Sequence, residues 1–342
     1  MGELKAIVGK NKVREEQLRR ERAIAAKRKK ELMEKRKRMK KIRFVAAWST
    51  VIFVTITLAI LLINGLLNVI DDGGDSKGKE KVTVKEEYSP VDTSRYVFSS
   101  EMYKYEHSEE ILDKFTNLKK TDVKLKEKVD FMLEHKEAYP ENLLKLVSKS
   151  PEAIDFALEY PFKKGDTTVI VDLSSDYVAG ELPYLMQWDS RWGYVEYGVE
   201  TIALDGCGPT CLSMVAIGLT GNLKYTPIRI SNVSMENGHY ADGIGTAWTL
   251  MFEGCEMFGI KAKEIGLSEE LMKAEVNAGR PIIASMAPGD FTDAGHFIVI
   301  YKYEDGLFYV KDPNSKKNTE TGWSYDTLKT QIKNMWSYKV KE

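Results

Sequence analysis

The sequence of 342 residues contains few of the side chains that hold transition metals. It has three cysteines and four histidines, and their spacing matches none of the patterns that are typical of zinc sites. We therefore predict that the protein binds no metal. Nothing in the sequence indicates another cofactor.

The sequence also has almost no net charge, only −1 at pH 7, yet the two signs are separated along the chain. Residues 1–43 contain 18 Lys and Arg against 6 Asp and Glu, and the remaining residues contain 32 basic and 45 acidic side chains. The basic arm lacks interleaved aromatic residues, so we expect it to contact anionic membrane lipid and not nucleic acid. Each basic residue near such a surface contributes about 1 kcal/mol.

Residues 44–70 form a run of 27 residues that lacks charged side chains altogether. The run exceeds the roughly 20 residues that a helix needs to cross a hydrocarbon core, and also the apolar core of about 7 to 15 residues in a cleaved signal peptide. The basic run KRKRMKKIR precedes it, whereas Asp71, Asp72 and Asp75 follow. Because basic residues concentrate on the cytoplasmic side of a span, we predict a single-pass signal anchor in the cell membrane. The N-terminus would be cytoplasmic and the larger remainder extracellular.

Three regions are expected beyond the span. Residues 71–107 are polar, have almost no apolar periodicity and are predicted to be a linker. In residues 108–165 apolar side chains recur three and four positions apart, which predicts a small helical segment. Pro140 and Pro151 stand where its helices would start, a position that tolerates proline. Residues 176–342 are numerous enough to build one independent core.

The pattern of this last region changes to strands, glycines and tryptophans. Helices are predicted near Pro209, at 245–258 and at 268–278, and the last of these has Ser268 as its N-cap and glutamates in its first turn. The phrases RPIIASM, GHFIVIYKY and LFYVKD are typical of strands and follow these helices. Helices followed by an antiparallel sheet predict an α+β fold.

The phrase DGCGPTC places Cys207 between two glycines and two residues before Pro209. Glycine permits close approach of another chain or of a substrate, and proline is favoured at helix starts. A thiol at the N-terminal end of a helix ionises more readily, and the thiolate is the reactive form of cysteine. Cys207 is therefore a candidate nucleophile. The alternative is a small buried residue in a glycine turn.

A β-hairpin is predicted from AGHFIVIYKYEDGLFYVKDPN, with residues 304–306 as a three-residue loop that ends in glycine. If Tyr303 pairs with Leu307, His296 and Asp312 share one face as diagonal neighbours, about 7 to 8 Å apart between backbones. A slip of one residue would place them on opposite faces. The hairpin thus predicts a base and the carboxylate that orients it. The alternatives are a structural histidine and an aspartate that belongs to a turn.

Together, Cys207, His296 and Asp312 suit nucleophilic catalysis. The imidazole would take the thiol proton and later protonate a leaving amine, while the carboxylate fixes the tautomer of the ring. His239, in the phrase NGHYADG, is a rival base. We expect His239 to be exposed in a loop.

These motifs, from about residue 182 to residue 336, resemble those of bacterial cysteine peptidases related to the double-glycine, bacteriocin-processing peptidases, whose fold is papain-like. The matching phrases are, in order, MQWDSRWG, DGCGPTCLSMVAIGLTGN, GIGTAW, APGDFTDAGHFIVI and VKDPNS. The resemblance implies that Cys207 is the nucleophile, His296 the general base and Asp312 its orienting partner.

The resemblance also implies that Gln187 helps to bind the oxyanion. Gln187 precedes Cys207 by twenty residues, which is farther than in the processing peptidases themselves. Cys211 stands where this family more usually has Ser or Ala, and we expect it to pack inward. A bridge from Cys211 to Cys255 stays open for a domain outside the cell. The sequence has no ATP-binding cassette of the kind that accompanies transporter-fused processing peptidases.

The leading hypothesis is a membrane-anchored extracellular cysteine peptidase that hydrolyses peptide bonds through a thioester. Two alternatives stay open: a wall-associated amidase or transglutaminase-like acyl transferase, and a catalytically inactive tethered binding module. The expected partners are a peptide or protein substrate at the cell surface or wall, and membrane lipid. The expected architecture is a papain-like α+β domain preceded by a small helical segment on a single N-terminal transmembrane helix.

Overall fold

The computed structural model describes residues 92–120, 123–243 and 245–342, which all fall within one compact unit, Glu86–Glu342. The predicted cytoplasmic arm, the transmembrane helix and residues 71–91 of the predicted linker lie outside the described residues. In the described part of the chain, no helix combines the length and the apolar composition that a membrane span requires.

The predicted helical segment consists of four α-helices joined by short 3₁₀ turns. Their apolar residues face one another and form a buried core that includes Phe115, Met132 and Leu143. Pro140 is the N-cap of the third helix, and Pro151 opens the 3₁₀ turn before the fourth, as the sequence predicted. The helices are α1 (Glu109–Asn117), α2 (Val123–Glu134), α3 (Glu141–Lys149) and α4 (Ile154–Lys163).

This segment shares its apolar core with the domain that follows. Tyr194 and Ala203 are buried within the same cluster of side chains as the four helices. The ring of Tyr194 stacks on Phe156 of α4 at a centroid distance of 4.2 Å, and its hydroxyl donates a hydrogen bond to the Phe156 carbonyl at 3.0 Å. The helical segment is therefore packed firmly against the larger domain.

The larger domain contains a six-stranded antiparallel sheet and two smaller two-stranded ribbons. The strands are β1 (Glu196–Tyr197), β2 (Glu200–Thr201), β3 (Tyr240–Ala241), β4 (Gly245–Thr246), β5 (Ile260–Glu264), β6 (Ile282–Met286), β7 (His296–Glu304), β8 (Leu307–Lys311), β9 (Gly322–Trp323) and β10 (Ile332–Val340). The order in the large sheet is β5-β10-β6-β7-β8-β9, and the ribbons pair β1 with β2 and β3 with β4.

Helices cover both faces of the sheet. Alternate residues of a strand point to opposite sides, so strand β7 contributes to two cores. On one face, Val299 belongs to the core that surrounds α6 (Cys207–Thr220). On the other face, Ile298 packs in the core that contains Met272 of α9 (Glu269–Asn277). The helices of this domain are α5 (Ile202–Asp205), α6 (Cys207–Thr220), α7 (Pro227–Glu236), α8 (Thr249–Phe252), α9 (Glu269–Asn277), α10 (Lys316–Glu320) and α11 (Tyr325–Lys329).

The α+β class is confirmed, but several elements differ from the prediction. Strands β5 and β10 were not predicted from the sequence, although β10 lies between β5 and β6 and pairs with both, and helix α7 was not predicted either. A register shift between Ile332 and Asn334 in β10 disturbs the alternation by which a strand is recognised. The single helix predicted at 245–258 is wrong: β4 is followed by α8 and then by a 3₁₀ turn, Gly254–Phe258.

The turn between β7 and β8 also differs from the prediction. Glu304 pairs with Leu307, so the turn consists of Asp305 and Gly306 alone, with φ values of 50° and 83°. Asp-Gly suits a two-residue hairpin turn in which both residues need positive φ. The predicted three-residue loop is therefore wrong.

A bulge in β7 compensates for the shorter turn. The pairing shifts by one residue at Tyr301, and beyond that shift Val299 pairs with Lys311. This is the register that the longer loop would have produced. His296 and Asp312 consequently lie on the same face of the hairpin, as predicted, for a different structural reason.

Candidate active site

Cys207 is the first residue of helix α6, with Gly206 as the N-cap. The N–H groups in the first turn of a helix have no intrahelical acceptor, and the helix dipole is positive there. The start of a helix therefore favours a nearby negative charge. Gly208 is required for the fit, because a Cβ on it would lie 2.6 Å from the Cγ2 atom of Thr246. Cys207 itself is partly exposed, so a substrate can reach it.

His296 and Asp312 form a buried pair at the open end of the β7–β8 hairpin. The Nε2 atom of His296 lies 2.7 Å from Oδ1 of Asp312. The Asp312 side chain has no exposed surface, and that of His296 is 4% exposed. Because Nε2 is engaged with the carboxylate, Nδ1 is the ring nitrogen available to a nucleophile.

The structure brings Cys207 to His296 as well. The Cys207 sulfur lies close enough to the His296 ring to raise the pKa of the imidazole. Burial alone would lower the pKa of His296, but the Asp312 carboxylate and the Cys207 sulfur outweigh burial and raise it to about 10. The imidazole is therefore protonated at neutral pH, which favours a thiolate beside it.

The Asp312 carboxylate is held by two donors in addition to His296. The backbone N–H of Asn314 donates to Oδ1 at 2.8 Å, and the side-chain Nδ2 of Asn318 donates to Oδ2 at 2.8 Å. Asn318 lies on α10, whose N-cap Ser315 accepts a hydrogen bond from the Asn318 N–H. Asn318 was not predicted from the sequence, although Ser315 three residues before it is a recognisable helix start.

Gln187 lies close to the turn that leads into α6. Its Nε2 donates to the carbonyl of Ala203 at 2.6 Å, and its backbone N–H donates to the carbonyl of Pro313 at 2.7 Å. Among the described residues, Oε1 of Gln187 is buried and has no hydrogen-bond partner. An unpaired buried acceptor costs about 1 to 3 kcal/mol. The side-chain NH₂ group of Gln187 has two N–H bonds, and Ala203 accepts one of them. The other N–H is left close to the residues that precede Cys207.

The remaining cysteines lie away from solvent. Cys207, Cys211 and Cys255 are all free thiols, and the last two are fully buried. Cys211 packs inward as predicted, and its Sγ donates to the carbonyl of Phe297 at 3.2 Å. Burial raises the pKa of Cys211 and also that of Cys255, the latter to about 11. Of the three thiols, Cys207 is the one that is accessible to solvent.

His239 was expected to be exposed, and that expectation is wrong. Its side chain is 7% exposed, and Nδ1 lies 2.8 Å from Oγ1 of Thr249. Its backbone N–H also donates to the carbonyl of Ser234. These contacts bind the end of α7 to α8, so His239 has a structural role.

The described part of the chain contains no group of three His, Cys, Asp or Glu side chains that could hold a metal ion. His296 is instead committed to a carboxylate and a thiol.

Residues 180–342 match the model of the Peptidase_C39 like family. This match confirms the family resemblance that the sequence motifs indicated. Residues 180–342 are therefore similar to C39-like peptidase domains, and their observed architecture is α+β. No protein with a curated description matches the chain.

The solved structures that match part of the chain include two from bacteria. The peptidase domain of Streptococcus ComA, a bifunctional ABC transporter involved in a quorum-sensing pathway, is 17% identical with a TM-score of 0.33, and the match covers 40% of this chain and 93% of that chain. A C39-like peptidase from Bacillus anthracis is 17% identical with a TM-score of 0.30, and that match covers 48% of this chain and 97% of the other.

Proposed function

We propose that the protein is a cysteine peptidase that hydrolyses peptide bonds, with Cys207 as nucleophile, His296 as general base and acid, and Asp312 as the group that orients the imidazole. The observation that carries this proposal is the buried His296–Asp312 hydrogen bond of 2.7 Å beside the partly exposed Cys207. A histidine that served only to fill the core would need neither a fully buried carboxylate nor a thiol partner.

The proposed reaction begins from a thiolate and an imidazolium. The Cys207 sulfur attacks the carbonyl carbon of the scissile peptide, and the carbonyl oxygen takes the negative charge. His296 then donates its Nδ1 proton to the leaving amine as the C–N bond breaks, which leaves a thioester on Cys207. Neutral His296 next removes a proton from water, which attacks the thioester. The products are a carboxylic acid and the regenerated ion pair.

The oxyanion needs hydrogen-bond donors placed in advance. The backbone N–H of Cys207, at the first position of α6, is one such donor. The amide of Gln187 is the second in this proposal, since its Nε2 already approaches the turn before Cys207 through Ala203. Loss of one donor of this kind typically lowers kcat by about 100- to 1,000-fold.

The proposal includes a location at the cell membrane. The uncharged residues 44–70 would anchor the chain, and the basic residues before them would keep the N-terminus in the cytoplasm. The peptidase domain would then act outside the cell on peptide or protein substrates, including those of the wall. Protease protection of an N-terminal tag in intact cells would support this orientation, whereas digestion of the tag would contradict it.

A peptide library tests the reaction. The purified full chain is incubated with a diverse library, with and without prior alkylation by iodoacetamide, and new peptide termini are identified by mass spectrometry. We expect cleavage only in the sample that was not alkylated. An added amine should not appear in the products, because water resolves the thioester. Identical profiles for both samples would contradict a peptidase, and amine-coupled products would indicate acyl transfer.

A further inference from the structure

Ser150 joins helix α3 to the 3₁₀ turn that begins at Pro151 and lies in the helical segment, far in sequence from the catalytic residues. Its side chain is 2% exposed. Its backbone is fixed on both sides, because its N–H donates to Leu146 and its carbonyl accepts from Ala153. The residue before a proline is also restricted to extended conformations. Ser150 is therefore a rigid point of the segment.

The hydroxyl of Ser150 does not have the partner that its position suggests. A serine at an N-cap normally accepts a hydrogen bond from an N–H two or three residues later, but Ser150 makes no such bond. Its Oγ instead donates to the carbonyl of Asn314 at 2.7 Å, across 164 positions of sequence. The hydroxyl is thus directed at the peptidase domain.

The backbone N–H of Asn314 donates a hydrogen bond to Oδ1 of Asp312 at 2.8 Å. The same oxygen lies 2.7 Å from Nε2 of His296. Ser150 therefore fixes the peptide on one side of the Asn314 Cα, while the peptide on the other side orients the catalytic carboxylate. The carbonyl of Asn314 has one further contact, a longer one of 3.4 Å from Nε1 of Trp188. Ser150 makes the shorter of these two bonds.

Other contacts keep the helical segment in place around this bond. The buried core shared with Ala203 and Tyr194 fixes α3 and α4 against the turn before Cys207. Lys149 also forms an ion pair of 2.6 Å with Asp293, which lies in the loop before His296. Because both of these charged side chains are largely exposed, that ion pair contributes little. The buried Ser150 hydroxyl is the specific link to the site.

We propose that the helical segment is a working part of the active site and that Ser150 is a positioning residue for the catalytic carboxylate. The hydrogen bonds run from Ser150 to Asn314, from Asn314 to Asp312, and from Asp312 to His296 beside the thiol. This inference rests on the proposed roles of these last two residues and adds a role for the segment outside residues 180–342. The segment is needed for turnover and not only for folding.

The test compares Ser150→Ala with Ser148→Ala in the full chain. Ser148 is a matched control, because it lies in α3 and its buried hydroxyl has no hydrogen-bond partner among the described residues. The amount of active protein is taken as the amount of thiol that iodoacetamide alkylates, and kcat is calculated for that amount. For Ser150→Ala we expect this kcat to fall about tenfold and KM to change less than twofold. Alkylation of Cys207 at pH 6 should slow as well. Ser148→Ala should leave all three values within twofold of those of the unaltered chain.

Three outcomes would overturn the inference: unchanged kcat in Ser150→Ala, equal losses in both variants, or a loss of alkylatable protein with the same kcat per thiol. These would assign Ser150 to packing alone. If the unaltered chain cleaves no peptide, the proposed function fails. The alkylation rates of the two variants then still decide whether Ser150 positions the histidine beside the thiol.

Discussion

Replacing the nucleophile by Cys207→Ala is expected to lower kcat for peptide cleavage by about 10⁶-fold, to the background rate. The variant should retain the fold, because Cys207 is partly exposed, packs only at the margin of the core and stands at the first position of α6, and alanine keeps its Cβ atom. The oxyanion donors and the substrate contacts remain, so KM should change little. Steady-state cleavage of a peptide found in the library experiment gives both constants.

Cys211→Ser is the matched control for this variant, since it alters a thiol one turn farther along the same helix. Cys211 is buried and donates only to the Phe297 carbonyl, a bond that a serine hydroxyl can also make. We expect less than a tenfold change in kcat. Full activity in Cys207→Ala would remove this residue from the mechanism.

Asp312→Asn is expected to lower kcat by about 10⁴-fold. Both oxygens of Asp312 accept hydrogen bonds, Oδ1 from His296 and from the Asn314 N–H, and Oδ2 from the side chain of Asn318. An asparagine must present its NH₂ group to one of these donors. Either orientation therefore loses a hydrogen bond, and the imidazole loses the negative charge that keeps it protonated.

Asp293→Asn provides the comparison for this second variant. Asp293 is an exposed carboxylate in the loop before His296 and pairs with Lys149. Exposed ion pairs are worth about 0 to 1 kcal/mol, so we expect a change in kcat of less than about threefold. The pair of variants separates the loss of this particular carboxylate from the loss of any negative charge near the site. Comparable losses in the two variants would contradict the role of Asp312.

Much of the site could be predicted because its parts are local in sequence. The helix start at Cys207 is marked by its glycines and proline, and the hairpin that joins His296 to Asp312 is a single connected unit. The predicted pairing of Tyr303 with Leu307 is wrong, since Tyr303 pairs with Phe308. The register at the open end of the hairpin was nevertheless predicted correctly, because the bulge at Tyr301 offsets the shorter turn. A bulge has no clear sequence pattern, since the extra residue differs from its neighbours only in pairing.

The parts that could not be predicted depend on long-range contacts. The order of β10 between β5 and β6 joins segments that are distant along the chain, and no local pattern specifies such pairing. His239 was misjudged because a histidine in a polar phrase resembles a loop residue until α7 and α8 enclose it. The link from Ser150 to Asn314 is likewise visible only when the helical segment and the hairpin are seen together.

The pH dependence of Cys207 alkylation tests the central claim, that an imidazolium stabilises a thiolate at the start of α6. Because the neighbouring Asp312 and Cys207 raise the pKa of His296 to about 10, the imidazolium persists from pH 6 to pH 8, and its charge favours the thiolate form of an adjacent cysteine throughout this range. The rate of native-state alkylation by iodoacetamide should therefore change less than about threefold across this range. Cys211 and Cys255 are buried and should not react.

In His296→Ala the thiol should behave as an ordinary cysteine, which is about 0.3% thiolate at pH 6, and its alkylation rate should rise roughly 80-fold by pH 8. A flat profile in the unaltered chain together with a steep one in the variant is the predicted result. The same steep profile in both would contradict the ion pair, and with it the assignment of Cys207 and His296 to the chemistry.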